Sequence, residues 1–215
     1  MKKRVQHFIG ALVVLGSLMA GYIYFKDNFD ILKDTIKNSV SSSNAEENYS
    51  EEVKRAANEF DLPYPYLMSL IGLECGGKKP AGSRYEKHVF KRLQEVRDGK
   101  RTNYENVTRS HLSDASDEAL KNLATSWGPF QLMGYKCILL GVKIKDIRGD
   151  NSVIYGAKWI DLAYGEKLRK GQYKDCFHIH NTGRSYPSNG KPTTHDLRYV
   201  PRGIAGMKKY QDASE

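Results

Sequence analysis

The sequence predicts a mainly helical (α+β) domain that follows one N-terminal transmembrane helix. The main observation is an apolar stripe in residues 65–77, with positions i, i+3, i+4 and i+7 occupied by Leu67, Leu70, Ile71 and Glu74. Pro65 suits the first position of a helix and Gly76-Gly77 suit its end. A second stripe with the same spacing consists of Tyr173, Cys176, Phe177 and His180 and ends at Asn181-Thr-Gly183. The third observation, an apolar run over residues 8–25, predicts the membrane helix.

The apolar run has the length and the flanks of a membrane span. Its 18 residues reach about 27 Å as a helix, which is just enough to cross a bilayer core. Lys2-Lys3-Arg4 precede it, and this basic flank predicts a cytoplasmic N-terminus. We therefore expect a single-pass protein of the inner (cytoplasmic) membrane with its domain on the periplasmic or extracellular side. A signal peptide cleaved near Ser17-Leu-Met-Ala20 is the alternative, and the small residues in the run also allow release of an uncleaved protein.

Composition divides the chain into three parts. Residues 1–25 contain the cytoplasmic N-terminus and the anchor. Residues 26–50 are expected to form a juxtamembrane helix and a linker, with residues 41–48 as a polar tether. The globular domain is predicted to occupy residues 51–215, with Ser50 as the N-cap of its first helix. Within it, the polar region 78–122 surrounds a helix candidate at 86–96 and is expected to carry a small sheet or lobe over a cleft.

Charge and cysteine content restrict the partners. The formal net charge of +9 and the pI near 9.3 favour nucleic acid, anionic lipid or a cell wall that carries carboxylates and phosphates. Nucleic acid is disfavoured because the basic residues are scattered and no nucleic-acid motif is recognisable. Three cysteines in an exported chain leave at least one thiol free or paired with another chain, and the pairing of Cys75, Cys137 and Cys176 stays open. We predict no cofactor and no metal, because His178-x-His180 has no companion ligands at metal-site spacing.

Glu74 is the first candidate for a catalytic group. A carboxyl group on an apolar helix face loses hydration, which raises its pKa and suits it to donate a proton near neutrality. The alternative is a buried glutamate paired with an arginine. His180 holds the same position on the second stripe as Glu74 does on the first.

A glycine-containing turn at residues 124–135 contains the candidate binding residues. Trp127 and Tyr135 offer flat faces for sugar rings, and the amide of Gln131 can hydrogen-bond an N-acetyl group. The alternative interpretation is that these side chains pack in the core.

The motifs together resemble the soluble lytic transglycosylases, a family of lysozyme-like domains that cleave the glycan strands of peptidoglycan. The resemblance covers about residues 51–210 and rests on four motifs in register, with a late Tyr199-Val200 in addition. These motifs are Glu74-Cys-Gly-Gly77, Gly128-Pro-Phe-Gln-Leu-Met133, Asn151-Ser-Val-Ile-Tyr-Gly156 and Ile179-His-Asn-Thr-Gly183. A stretch near Arg84-Tyr-Glu86 is similar to phage and bacterial members.

The resemblance implies a lysozyme-like fold with a saccharide cleft and assigns roles to residues. Glu74 would be the general acid and base that cleaves the β-1,4 bond between N-acetylmuramic acid and N-acetylglucosamine and forms a 1,6-anhydro product. Substrate contacts are expected from Ser126, Trp127, Gln131, Met133, Tyr135, Asn181 and Tyr199. The sequence departs from the family pattern at Cys75, at Pro129-Phe130 and at His180, which stands where the family has a tyrosine that contacts the catalytic glutamate. We expect His180 to lie within hydrogen-bonding or one-water reach of Glu74 and to support it with an imidazole N–H.

Two rival functions remain open at this point. One is a peptidoglycan hydrolase in which Glu86 serves as the second carboxylate, although Glu86 has basic neighbours and lies near a helix start. The other is a catalytically silent wall-binding or assembly protein. The biological setting is also open, because wall remodelling, secretion or phage machinery and host lysis all use this chemistry.

Overall fold

A computed structural model describes residues 40–211 together with Lys26, Phe29, Leu32 and Lys33. The predicted anchor at residues 8–25 lies outside the described residues. Among the residues that are described, no helix is both long and apolar enough to cross a bilayer. The unit described below begins at Val40 and is mainly helical, as the sequence predicts.

The first helix, α1, covers residues 40–60 of the described chain and corrects the predicted linker. Residues 41–48 are helical, and Ala45 and Tyr49 are buried in the main core. The tyrosine hydroxyl donates a 2.6 Å hydrogen bond to the carbonyl of Lys78. The expected tether and the expected N-cap at Ser50 are therefore wrong. The composition of 41–48 is typical of a linker, but its one apolar residue, Ala45, precedes the buried Tyr49 by four positions and Val53 by eight, and so continues the buried stripe of α1.

Helix α2, Tyr64–Cys75, is the central helix and confirms the first predicted stripe. Its residues Leu67, Leu70 and Ile71 are wholly buried. The helix begins after Pro63 and ends at Gly76, which adopts a left-handed conformation with φ of 64°. This is the end that the glycine pair predicts, because glycine enters the left-handed region without steric cost.

A smaller lobe follows and contains the short strands of the described chain. Strands β1, β4 and β5 form an antiparallel sheet in the order β1-β4-β5, while β2 and β3 form a separate hairpin. Ser126 on β4 pairs with Arg84 on one side and with Met133 on the other. The strands are β1 (Arg84–Tyr85), β2 (Asn103–Tyr104), β3 (Val107–Thr108), β4 (Thr125–Trp127) and β5 (Leu132–Met133).

Helices complete this lobe. Together with the strands they confirm the prediction of a small sheet with a helix beside it. The helix predicted at residues 86–96 is α3, Lys87–Arg97. Its buried residues Val89, Leu93 and Val96 face Leu120 in a second hydrophobic core. The other helices are α4 (Asp117–Leu123), α5 (Lys136–Leu140) and α6 (Ile144–Arg148), with a 3-10 turn at Arg109–His111.

The last four helices pack around α2. They are α7 (Ser152–Ile160), α8 (Glu166–Arg169), α9 (Tyr173–Thr182) and α10 (Tyr199–Met207). A π-helical turn, Asp161–Gly165, joins α7 to α8, and a 3-10 turn, Lys208–Tyr210, follows α10. The predicted stripe of α9 is confirmed, since Cys176 and Phe177 are buried and the helix ends at left-handed Gly183.

All three cysteines are free, in agreement with the prediction of at least one free thiol. Burial raises the pKa of Cys75 and Cys137 to about 11 and that of Cys176 to about 12. The three side chains are therefore neutral thiols that pack as small apolar groups.

Candidate active site

Glu74 lies near the end of α2, where the helix leaves the core. Its side chain keeps 16% of its surface exposed, whereas Leu70 and Ile71 before it are wholly buried. The hydroxyl of Tyr199 donates a hydrogen bond to Oε1 of Glu74. Within residues 40–211, no protein group donates to the other oxygen, Oε2. One carboxyl oxygen is thus fixed in place, and the other has no donor among these residues.

The contact between Tyr199 and Glu74 depends on the close packing of α10 against α2. Ser69 Oγ donates a 2.7 Å hydrogen bond to the carbonyl of Gly203. A Cβ at Gly206 would lie 3.3 Å from Cβ of Ser69 on α2, so α10 has little room for a side chain on this face. Burial raises the pKa of Tyr199 well above its ordinary value, and the nearby charge of Glu74 raises it further. Tyr199 therefore keeps its proton and acts as the donor.

His180 lies beside Glu74, as the matched stripes predict. Its Nε2 atom is 3.9 Å from Oε1 of Glu74, which is within one-water reach but too long for a hydrogen bond. Nε2 instead donates to the carbonyl of Phe130 at 3.0 Å. The expectation that the imidazole N–H orients the carboxyl group is therefore wrong, and Tyr199 makes that contact.

A chain of hydroxyl groups fixes the tautomer of His180. Because Nε2 donates to a carbonyl, Nδ1 of the neutral ring accepts, and the Tyr164 hydroxyl donates to it at 2.7 Å. Tyr164 in turn accepts from the hydroxyl of Tyr66 at 3.2 Å. All these contacts are satisfied by a neutral imidazole with its proton on Nε2.

Tyr164 reaches His180 from the π-helical turn, and sequence reasoning missed it. Its backbone, with φ of −157° and ψ of 19°, interrupts the helix, a distortion that is frequent at functional sites. A Cβ at the neighbouring Gly165 would lie 2.3 Å from Oδ1 of Asp161, so a side chain there would displace this carboxylate from its ion pair with Arg169.

A cavity of about 570 Å³ adjoins His180 and brings together most of the predicted site residues. These come from three separate segments and are Glu86, Gln131, Met133, Tyr135, His180 and Asn181. Glu74 is not among the lining residues; its Oε1 atom lies 3.9 Å from Nε2 of His180, which does line the cavity. Tyr199, with 8% of its surface exposed, contacts Glu74 and not the cavity. We therefore assign Tyr199 to positioning and not to substrate contact.

The β4–β5 hairpin presents Gln131 to the cavity. Ser126 is 5% exposed, and its hydroxyl donates to Oε1 of Gln131 at 2.8 Å. Nε2 of Gln131 donates to the carbonyl of Gly128 at 3.0 Å. Ser126 thus holds the amide in place, and it does not line the cavity as a substrate contact would.

Trp127 faces a second cavity of about 550 Å³. Its indole N–H donates to the carbonyl of Asn122 at 2.9 Å, and the guanidinium of Arg148 lies 5.4 Å from its ring centre. The tryptophan that lines the first cavity is Trp159, which sequence reasoning did not single out. Tyr135 is only 5% exposed, so most of its ring packs in the core, as the alternative interpretation held.

The carboxylate of Glu86 is engaged on both oxygens. Arg84 contacts Oε1 at 2.6 Å, and Nδ1 of His88 lies 3.5 Å from Oε2. The side chain is 21% exposed and lines the first cavity. These partners favour the interpretation that Glu86 has a structural role as an ion-pair partner, as its basic neighbours in the sequence suggest.

His178, the other histidine of α9, is wholly buried and structural. Its Nδ1 donates to the carbonyl of Arg184 at 2.7 Å, and its Nε2 accepts from the amide of Thr193 at 3.1 Å. It therefore fixes the loop after α9. Among the described residues, no three His, Cys, Asp or Glu side chains are close enough together to hold a metal ion.

No protein-family model, curated protein or solved structure matches the chain. The resemblance to lytic transglycosylases therefore rests on the short motifs, and the functional argument rests on the geometry around Glu74.

Proposed function

We propose that the protein is a peptidoglycan lytic transglycosylase with Glu74 as its general acid and base. The observation that carries the proposal is the carboxyl group of Glu74, fixed through one oxygen by Tyr199 and unpartnered on the other within residues 40–211. Its Oε1 atom lies 3.9 Å from Nε2 of His180, which lines a polar cavity of about 570 Å³ together with Gln131 and Asn181, whose amides are suited to N-acetyl groups. This arrangement supports acid catalysis on a bound sugar.

In the first step, protonated Glu74 donates its proton to the glycosidic oxygen between N-acetylmuramic acid and N-acetylglucosamine. The bond between that oxygen and the muramyl C1 breaks, and an oxocarbenium-like state forms, stabilised by the substrate's own N-acetyl group. In the second step, the Glu74 carboxylate takes the proton of the muramyl C6 hydroxyl. The C6 oxygen then bonds to C1 and closes a 1,6-anhydro ring, so no water is consumed.

The ion pairing of Glu86 favours the 1,6-anhydro product over the product of hydrolysis. A hydrolase needs a second carboxylate to activate water or to attack C1, and both carboxylate oxygens of Glu86 are engaged, one by Arg84 and the other by His88. The C6 hydroxyl needs no separate binding step, because the sugar ring already holds it near C1. Intramolecular attack therefore has the lower entropic cost.

We expect digestion of purified peptidoglycan to release fragments that end in 1,6-anhydro-N-acetylmuramic acid. Such fragments are one water lighter than hydrolysis products and cannot be reduced by borohydride, and mass spectrometry before and after reduction distinguishes the two. Predominantly reducible muramic ends would reject the transglycosylase. Because Glu86 lines the cavity, a hydrolase with Glu86 as general base is the second candidate. Loss of activity in folded Glu86→Gln would support it.

We expect Tyr199→Phe to lower kcat by about 10- to 100-fold and to leave KM nearly unchanged. The substitution removes the hydrogen bond that orients Glu74, and misplacement of a catalytic group costs rate. Loss of a hydrogen bond to a charged group also lowers the melting temperature, by about 5 °C. Steady-state kinetics and thermal unfolding measure the two effects.

Tyr210→Phe is the matched control for Tyr199→Phe. Tyr210 is equally buried, and its hydroxyl donates to the carbonyl of Ser42 at 3.0 Å. It should lower the melting temperature without changing kcat. An unchanged kcat in Tyr199→Phe would reject the positioning role of Tyr199.

The proposal includes a location and a partner. Peptidoglycan strands are the substrate, and their acidic groups complement the net charge of +9. Residues 8–25 would hold the domain on the outer face of the cytoplasmic membrane, with the N-terminus in the cytoplasm.

A further inference from the structure

Lys136 is a cation in the cavity wall that the proposed mechanism does not use. It is the first residue of α5, it lines the first cavity, and 15% of its side chain is exposed. Its ammonium lies 4.1 Å from the ring centre of Trp159 and 4.9 Å from that of Tyr135. The two rings hold the cation without neutralising it, since cation–π attraction leaves the formal charge in place.

The carboxylates around Lys136 leave its charge incompletely paired. Glu105, at the tip of the β2–β3 hairpin, forms a long ion pair with Lys136 at 3.8 Å, beyond the distance of a hydrogen bond, and 54% of its side chain is exposed. Glu86, the other acid that lines the cavity, is bound by Arg84 and His88. Burial lowers the pKa of Lys136, which records the cost of keeping this charge away from water. A carboxylate that entered the cavity would offset this cost.

We propose that Lys136 binds a carboxylate of the glycan substrate and so makes the site selective for muramic-acid-containing glycans over neutral ones. The inference rests on the proposed function and deepens it. The carboxylate comes from the lactyl group of N-acetylmuramic acid or from its stem peptide. In either case it displaces Glu105, whose exposed position on a hairpin tip allows the movement.

The position of Trp159 supports a substrate role for this pair. Trp159 lines the same cavity as Gln131, Asn181 and Lys136, so a single glycan strand in this cavity has all four residues along its walls. Sugar rings stack on tryptophan faces, and a carboxylate on such a sugar would lie near the ammonium. A purely structural cation–π contact does not require the ammonium to line the cavity.

Binding is measured in the Glu74→Gln background so that no ligand is cleaved. Calorimetry compares a neutral N-acetylglucosamine tetramer with two tetrasaccharides that alternate N-acetylglucosamine and N-acetylmuramic acid, one free of peptide and one carrying stem peptides. We expect Lys136→Met to raise the Kd of the anionic glycans by about 10- to 100-fold, the range of a hydrogen bond to a charged group, and to leave the neutral tetramer within about twofold. Exposed Lys121→Met is the control and should change none of the three.

Glu105→Gln provides a second variant at an exposed position that does not endanger folding. Removal of the competing carboxylate should lower the Kd of the anionic glycans by a few-fold and leave the neutral tetramer unchanged. If Lys136→Met raises the Kd of the peptide-free glycan, the bound carboxylate is that of the lactyl group. If the substitution raises only the Kd of the peptide-bearing glycan, the carboxylate belongs to the stem peptide. Equal weakening of all three ligands by Lys136→Met, or of none, would overturn the inference while leaving the proposed function intact. Failure of every glycan to bind would instead reject the proposed function.

Discussion

Glu74→Gln is expected to reduce cleavage of peptidoglycan by at least about 10²- to 10⁴-fold, the usual contribution of general acid–base catalysis. Glutamine has the shape of glutamate, and its amide oxygen still accepts the hydrogen bond from Tyr199. The substitution therefore removes the transferable proton and keeps the packing around α2. Release of soluble fragments from a wall suspension measures the loss.

The control for this experiment is Glu166→Gln. Glu166 is exposed and pairs with Lys170 at 2.6 Å on the surface of α8, so its change should leave both activity and stability nearly as they are. Thermal unfolding of Glu74→Gln should stay within a few degrees of the unchanged protein. If folded Glu74→Gln clears the suspension at a near-normal rate, Glu74 is not the catalytic acid and the proposed mechanism fails.

Gly77→Ala is expected to destabilise the domain by about 2–5 kcal/mol, which corresponds to a fall in melting temperature of roughly 5–15 °C. Gly77 has φ of +70°, and a Cβ there would lie 2.3 Å from the amide nitrogen of Ala45 and 2.7 Å from the carbonyl oxygen of Ser41. Both contacts are with backbone atoms of α1, so no side-chain rotation relieves them. The helix itself has to move, and its buried residues Ala45 and Tyr49 lose their packing.

Gly171→Ala separates the two causes of this destabilisation. Gly171 has the same φ of +70°, but no atom lies within 4 Å of its added Cβ. It therefore measures the cost of the left-handed backbone alone, about 1–2 kcal/mol. The excess cost at Gly77 reports the docking of α1. Equal melting temperatures for the two variants would contradict the close approach of α1 and favour the tether that the composition of 41–48 predicts.

Periodicity in the amino-acid sequence determined the central features of this protein. The stripes of α2 and α9 place Glu74 and His180 on buried faces, and the glycines after each stripe mark the helix ends. These signals are local, because a helix repeats every 3.6 residues and glycine is favoured where φ is positive. The motif around Gln131 was also recognisable, since a turn with left-handed residues has its own sequence pattern.

Only the tertiary structure decided which groups touch Glu74 and what lines the cavity. The hydroxyl that reaches Glu74 comes from Tyr199, 125 residues further along the chain, and the imidazole that was expected to reach it donates to Phe130 instead. Lys136 and Trp159 meet only because α5 and α7 pack together. No sequence spacing encodes such contacts, because each partner satisfies its own local pattern and the pairing follows from how the helices pack. For the same reason, the linker that composition predicts at residues 41–48 is wrong. This segment is helical because packing of α1 in the core stabilises a helix whose own apolar content is low.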